Sequence, residues 1–296
     1  MNIIKYRNFF FAFSLAIIIP GLIALKVWGL KLGIDFAGGT LWEIKFAQNV
    51  KATDVQKQIE AQNVKVSTAA NTAPDSVLIK IKASNEDTIN QIKSKLSQDY
   101  GQTQDLSLST VGPTISKELT QKAAIAVAIS IIAIVAYVTW AFRKVPKPAS
   151  SIAFGVCTII ALVHDVIVVV GVFAILGHFF PLEIDSLFIT ALLTVLGFSV
   201  HDTIVVFDRI RENLKKHDDF PFEEVVNHSI LQTFARSLNT SLTVIFVLLA
   251  LLLFGGTPIK SFVLALLIGI ISGTYSSIFN AAPLLVVWQN LRKKLK

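Results

Sequence analysis

Two carboxylates, a histidine and an arginine stand out because of the apolar sequence around them. Asp202 is embedded in the run 196–207, with Ser199 and Val206 on its face at helical spacing. His164 and Asp165 lie side by side inside the run 159–170. Arg236 precedes a further apolar run, in Ala235-Arg236-Ser237-Leu238-Asn239-Thr240-Ser241. A charge at the middle of a membrane helix costs roughly 2.5–3.5 kcal/mol on insertion scales, so an acid there needs a reason. It either carries a proton or accepts hydrogen bonds from neighbouring hydroxyls. Burial disfavours an ionised carboxylate and a nearby guanidinium favours it. With Arg236 as counter-charge at a compatible depth, a movement that separates it from Asp202 would switch the acid between binding and releasing a proton. A proton gradient requires such a switch, and each elementary charge crossing gains about 2.3 kcal/mol per 100 mV. Arg236 is alternatively a boundary arginine reaching for the interface. His164 and Asp165 are both titratable and suit a relay, or they hydrogen-bond between helices. As sequence neighbours they point about 100° apart on a helix and are not expected to face one partner closely.

Such residues need elements that cross a bilayer. Hydrophobic residues make up 53% of the 296-residue chain and charged residues 16%, against about 25% charged in a soluble domain. Six runs approach the roughly 20 apolar residues that span a hydrocarbon core: 9–28, 123–142, 152–176, 185–207, 238–254 and 261–288. The first is too long for the core of a signal peptide and lacks a small-x-small cleavage site, so it reads as a retained helix. The short connections between the runs set the orientation. Lys5, Arg7, Arg143, Lys144, Lys147, Arg209, Arg211, Lys215, Lys216, Arg236, Arg292, Lys293, Lys294 and Lys296 all fall on one side, whereas the opposite loops 177–184 and 255–260 hold only Lys260. The positive-inside rule places both termini in the cytoplasm. The net charge of +7 is thereby a topology signal, and nucleic acid is not an expected partner.

The first helix is 1–29, residues 30–120 form an extracytoplasmic domain, and 121–296 form a five-helix bundle with a cytoplasmic connector at 208–236. In the domain, 41–47, 64–68, 77–81 and 106–111 read as strands, and 52–62 and 86–100 have helical spacing. The order strand–helix–strand–strand–helix–strand predicts a ferredoxin-like α+β fold. In the connector, a polar extension of the fourth helix, a turn near His217–Pro221 and a short interfacial helix are expected. Gly33, Gly38 and Gly39 allow backbone angles closed to other residues, which predicts a hinge or tight turn, with Asp35 capping it. Gly269, Gly273, Ser272, Ser276 and Ser277 form a small-residue stripe for close helix packing. The single cysteine, Cys157, excludes an intramolecular disulfide. No phosphate loop, zinc spacing or catalytic triad is present, so neither an enzyme nor a bound cofactor is expected.

Four motifs resemble the SecD/SecF family of protein-export membrane proteins. They are Gly33-Ile34-Asp35-Phe36-Ala37-Gly38-Gly39-Thr40, Val111-Gly112-Pro113-Thr114-Ile115-Ser116, the stretch 197–213 and Arg236-Ser237-Leu238-Asn239-Thr240-Ser241-Leu242-Thr243. The third carries Gly197, Thr203, Asp208 and Arg209, and its Asp-Thr-Ile at 202–204 favours the SecF branch. The resemblance implies a six-helix half of the resistance–nodulation–division architecture in the bacterial cytoplasmic (inner) membrane. It implies a SecD-like subunit, the SecYEG channel, a YajC-type accessory subunit and unfolded preprotein as partners, with membrane lipid around the bundle. The coupling ion would be the proton, or sodium as in some relatives. Asp202 is similar to the family's membrane carboxylate and Arg236 to a basic residue of the same proton pathway; His201 stands where asparagine is common. Two rival readings are a half of a proton-driven small-molecule exporter and a non-transporting assembly scaffold.

Overall fold

The computed structural model describes residues 2–82, 85–180, 182–216, 219–256 and 259–294. The chain divides into two compact units, Leu32–Ala123 and the remainder. His217 and Asp218 of the expected turn, and Lys296 of the basic tail, lie outside the described residues.

The larger unit is helical. A 3₁₀ turn, Ile4–Tyr6, leads into α1 (Arg7–Val27). One turn, α2 (Ile34–Ala37), and two helices, α3 (Ala52–Glu60) and α4 (Glu86–Tyr100), belong to the smaller unit. The bundle continues with α5 (Pro113–Ala141), α6 (Ser151–Phe179), α7 (Ser186–Lys216), α8 (Phe222–Phe254), α9 (Lys260–Ser276) and α10 (Ala282–Lys294). Among the described residues, six helical stretches are long and apolar enough to cross a membrane, the last running through α9 and α10. Of the apolar window in that last span 67% is buried, and of α6 50%, against 6% in α5. So α6 and α9 form the centre, and α5 turns Ile125, Ile129 and Ile132 outward. Such a face suits lipid or another helical bundle, where no water has to be ordered around it.

One expectation about these helices is corrected, and one span carries a local irregularity. There is no separate interfacial helix before the fifth span: α8 begins at Phe222 and runs unbroken to Phe254. Its first turns bury Phe222, Val225, Val226 and Ile230 in the same apolar cluster as Phe207, Ile210 and Leu214 of α7, so packing carries the helix through a polar stretch. The sixth span is not uniform either. A π-turn at Ser277–Ala281 separates α9 from α10. Pro283 follows it; proline has no N–H to donate and its ring crowds the carbonyl four residues earlier. The ladder widens there.

In the smaller unit, β1 (Gly39–Phe46), β2 (Val66–Ala73), β3 (Ser76–Ile81) and β4 (Thr103–Val111) form one sheet in the order β2-β3-β1-β4. All neighbouring pairs are antiparallel. Alternation puts Trp42, Ile44 and Phe46 of β1 and Val77, Ile79 and Ile81 of β3 on the buried face. Val55 and Ile59 of α3 and Ile89, Ile92 and Leu96 of α4 complete that core. The second strand runs further than its apolar residues suggest. Asn71 explains part of this: its side chain accepts from the Ala52 N–H and donates to the Val50 carbonyl, tying β2 to the start of α3. Trp42 Nε1 donates to Asp105, which also pairs with Lys93 of α4.

Gly39 is closely packed. It opens β1 opposite Val111 with φ +115°, and a Cβ there would stand 2.4 Å from the Ile81 carbonyl oxygen. Gly38 has φ +71°. Asp35 sits in the first turn of α2, two residues after the cap position Gly33. Gly39→Ala is expected to cost about 1–3 kcal/mol in backbone strain alone, with the clash added. Hydrogen exchange checks this: the amides of β1 and β3 lose protection in the variant while those of α6 keep theirs.

Candidate functional site

The polar groups of the bundle core gather on α6, α7, α8 and α9 around two buried acids. Asp165 of α6 is 0% exposed. Its carboxylate accepts from Ser199 Oγ at 2.6 Å, Ser272 Oγ at 2.7 Å and Ser276 Oγ at 2.7 Å. His164 Nδ1 lies 3.0 Å from its Oδ1. Hydroxyl-to-carboxylate bonds of about 2.5–2.7 Å are the short, charge-assisted kind. The ring of His164 is buried beside Tyr275, and its Nε2 has no hydrogen-bond partner among the described residues. A carboxylate only accepts, so against an ionised Asp165 the proton of the pair sits on Nδ1; Nε2 of the neutral ring is then a free lone pair.

Asp202 of α7 is 1% exposed and held more loosely. Ser241 Oγ of α8 donates to it at 3.3 Å and Thr274 Oγ1 of α9 at 3.4 Å. Those two hydroxyls stand only 2.6 Å from each other. His201 Nδ1 is 3.7 Å from the other carboxylate oxygen, and its side chain is 61% exposed. One turn earlier on α8, Ser237 Oγ is buried with no partner among the described residues.

Helix α9 serves both acids because its residues alternate between two neighbours. Ser272 and Ser276, one turn apart, face α6, and Thr274 between them faces Asp202 of α7. The close approach of α7 and α9 depends on glycine. A Cβ on Gly269 would lie 2.2 Å from Val195 Cγ2, and one on Gly273 would lie 2.9 Å from Ser199 Cβ. The hydroxyls of Thr203 and Ser277 then stand 2.8 Å apart across the same seam, each 3.1 Å from the Ser199 carbonyl oxygen, so one donates to the other and its partner donates to the carbonyl. A second close approach, Gly21 against Gly171, joins α1 to α6. Gly273→Ala is expected to push α7 away at Ser199, costing about 1–3 kcal/mol by overpacking. Thermal unfolding in detergent should show the loss, with Gly197→Ala as the silent control, since no atom lies within 4 Å of a Cβ there.

The residues anticipated from sequence distribute as follows. Asp165 and His164 contact each other directly despite their angular separation. Ser199, on the Asp202 face by spacing, donates to Asp165 instead. Arg236 is exposed on α8 and is absent from the groups bonded to Asp202. Of the remaining motif residues, Thr203 is buried in the seam; Asp208 pairs with Arg211 at 2.5 Å and Arg209 with Glu212 at 2.8 Å near the polar end of α7. Sequence reasoning missed the hydroxyls as acid ligands. Ser272, Thr274 and Ser276 occur at i, i+2 and i+4, a signal readable as two donor faces; Ser272 and Ser276 fall in the packing stripe, and Thr274 lies outside it.

Comparison with known proteins gives consistent matches. The family described as "Protein export membrane protein SecD/SecF, C-terminal" matches residues 91–291, and the "SecD/SecF GG Motif" matches residues 29–50. The protein translocase subunit SecF of Thermobaculum terrenum is 49% identical, covering 98% of this chain and 94% of its own length. That of Anaerolinea thermophila is 43% identical, with 98% and 94% covered. The crystal structure of SecDF, a translocon-associated membrane protein from Thermus thermophilus, superposes with a TM-score of 0.82 at 34% identity. There the match covers 98% of this chain but only 39% of the SecDF chain.

Proposed function

Since the chain belongs to the SecD/SecF family of protein-export membrane proteins, we propose that it acts as the SecF-type subunit of a bacterial protein translocase and couples export to the proton gradient through Asp202. One observation carries the coupling: two acids are buried in the bundle core, and only one is loosely held. Asp165 sits in a full shell of short bonds and is the static member. Asp202 has two long hydroxyl contacts that bond each other more tightly than they bond the acid. It takes up or gives up a proton without dismantling the packing around it. The exposed imidazole of His201 beside it is the entry group.

Arg236 belongs to the other half of the cycle. It lies five residues before Ser241 on α8, about 7.5 Å along the helix, which a long guanidinium side chain can bridge. In the conformation described, it is outward and Asp202 has no cationic arginine. A shift of α8 against α7 brings Arg236 in, favours the ionised acid and drives proton release. His164, bonded to Asp165 through Nδ1, belongs to that static shell in this reading.

The partners follow from the same reading. The chain corresponds to well under half of the SecDF chain it resembles, and α5 and α8 leave apolar faces uncovered. A SecD-like subunit supplies the second half, beside the SecYEG channel with a YajC-type accessory. The basic loops support a cytoplasmic location for both termini in the bacterial inner membrane. The strand order β2-β3-β1-β4 with two helices on one face supports a ferredoxin-like domain on the outer side, where it meets unfolded preprotein. Two measurements test the proposal. Purification from native membranes should recover a SecD-like chain and the channel. In translocating vesicles, an imposed pH gradient should accelerate export and a protonophore should abolish the gain; acceleration by a sodium gradient alone would exclude the proton as coupling ion.

A further inference from the structure

A basic groove lies where the start of α1 and the end of α10 meet. A cavity of about 520 Å³ is lined by Arg7 of α1 and by Val287, Asn290, Leu291, Lys293 and Lys294 of α10. It shares Arg7, Asn290 and Lys293 with a larger cavity of about 1130 Å³ that reaches Lys5 and the start of α8. Two acids line the larger cavity and neither lines the smaller one: Glu223 is already matched, since Arg7 pairs with it at 3.3 Å and Asn290 Nδ2 donates to it at 2.8 Å, and Glu224 is exposed at the α8 end. Lys293 and Lys294, both exposed, enter no ion pair among the described residues. The groove therefore presents unmatched positive charge.

Its other wall is apolar. Val287 and Leu291 stand one helical turn apart on α10 and line the same cavity as the lysines. Leu291 is exposed, and Trp288 and Ile152 border a second cavity on its far side. A free anion would use the lysines and leave this wall in water. A ligand that joins a negative head to hydrocarbon chains uses both. Basic pockets at helix ends on one side of a membrane protein are suited to anionic lipid heads, and tryptophan favours the same depth.

We propose that this groove binds an anionic phospholipid, with the phosphodiester at Lys293, Lys294 and the edge of Arg7, and an acyl chain along Val287 and Leu291. The inference is independent of the transport reading, because it requires only that α1 and α10 cross the bilayer.

The test uses the full chain in nanodiscs or mild detergent, probed with phosphatidylglycerol against phosphatidylcholine of the same acyl chains, and native mass spectrometry to count retained lipid. Wild type is expected to retain phosphatidylglycerol preferentially. Lys293→Gln with Lys294→Gln should lower that preference about 30-fold, from roughly 1 kcal/mol per basic residue near an anionic surface. Its melting temperature in neutral detergent should match the wild type. Leu291→Asn keeps the charge and should also weaken retention. Equal retention of the two lipids by the wild type overturns the proposal. So does an unchanged lysine double variant, or an equal loss in the control Lys57→Gln with Lys95→Gln of the smaller unit. Displacement of phosphatidylglycerol by millimolar glycerol phosphate would show a simple anion site and overturn the lipid assignment.

Discussion

Asp202→Asn is expected to reduce export to the rate seen without a gradient, with the protein still folded. Asparagine has the shape of aspartate, and its amide oxygen still accepts from Ser241 and Thr274. Both contacts with the native acid are long, 3.3 and 3.4 Å, so little binding energy rests on them. The stability change should stay within about 1 kcal/mol. What disappears is the capacity to bind and release a proton. The measurement is preprotein translocation in vesicles with and without an imposed pH gradient, alongside a melting curve. A variant that folds and still responds fully to the gradient would remove Asp202 from the coupling and leave the scaffold reading in its place.

Asp165→Ala should do the opposite and damage the fold first. The substitution leaves the Ser199, Ser272 and Ser276 hydroxyls and His164 Nδ1 without their acceptor in a site with no exposure. Each buried orphan costs about 1–3 kcal/mol. The hydroxyls can re-pair in part, so a total near 3–5 kcal/mol is expected, as for breaking a buried polar cluster. The melting temperature should fall by roughly 5–15 °C. Asp165→Asn should be milder, because serine hydroxyls accept as well as donate and can turn to meet the new amide. An alanine variant as stable as wild type would show that the shell around Asp165 is not structural. An asparagine variant of native stability that loses the gradient response would make Asp165 a member of the proton path rather than its fixed neighbour.

The two acids thus separate by consequence, although they were alike as sequence features. Both were legible as costly groups in apolar runs. Which was tightly bound was not, because their ligands come from helices dozens of residues away. Ser199 illustrates the point. It lies three residues from Asp202, on the same helical face by spacing, yet it donates across to Asp165. The rotation of α7 against α6 and α9 decides this, and that rotation is set by the glycine seam at Gly269 and Gly273. Arg236 shows the same limit. Its place at the head of an apolar run is a local property, but the direction of its side chain depends on how α8 packs.

Features encoded over one or two turns or strands were legible in the residues alone. The apolar runs fixed the number of spans, alternation and helical spacing set the order of elements in the smaller unit, and the cost of buried charge marked Asp165 and Asp202. Only packing decided the pairing of hydroxyls with acids, the outward direction of Arg236, and the unbroken helix from Phe222 into the fifth span. Those depend on distances between segments far apart in the chain. Periodicity reports which face of a helix is apolar, but it carries no information about which partner that face will meet.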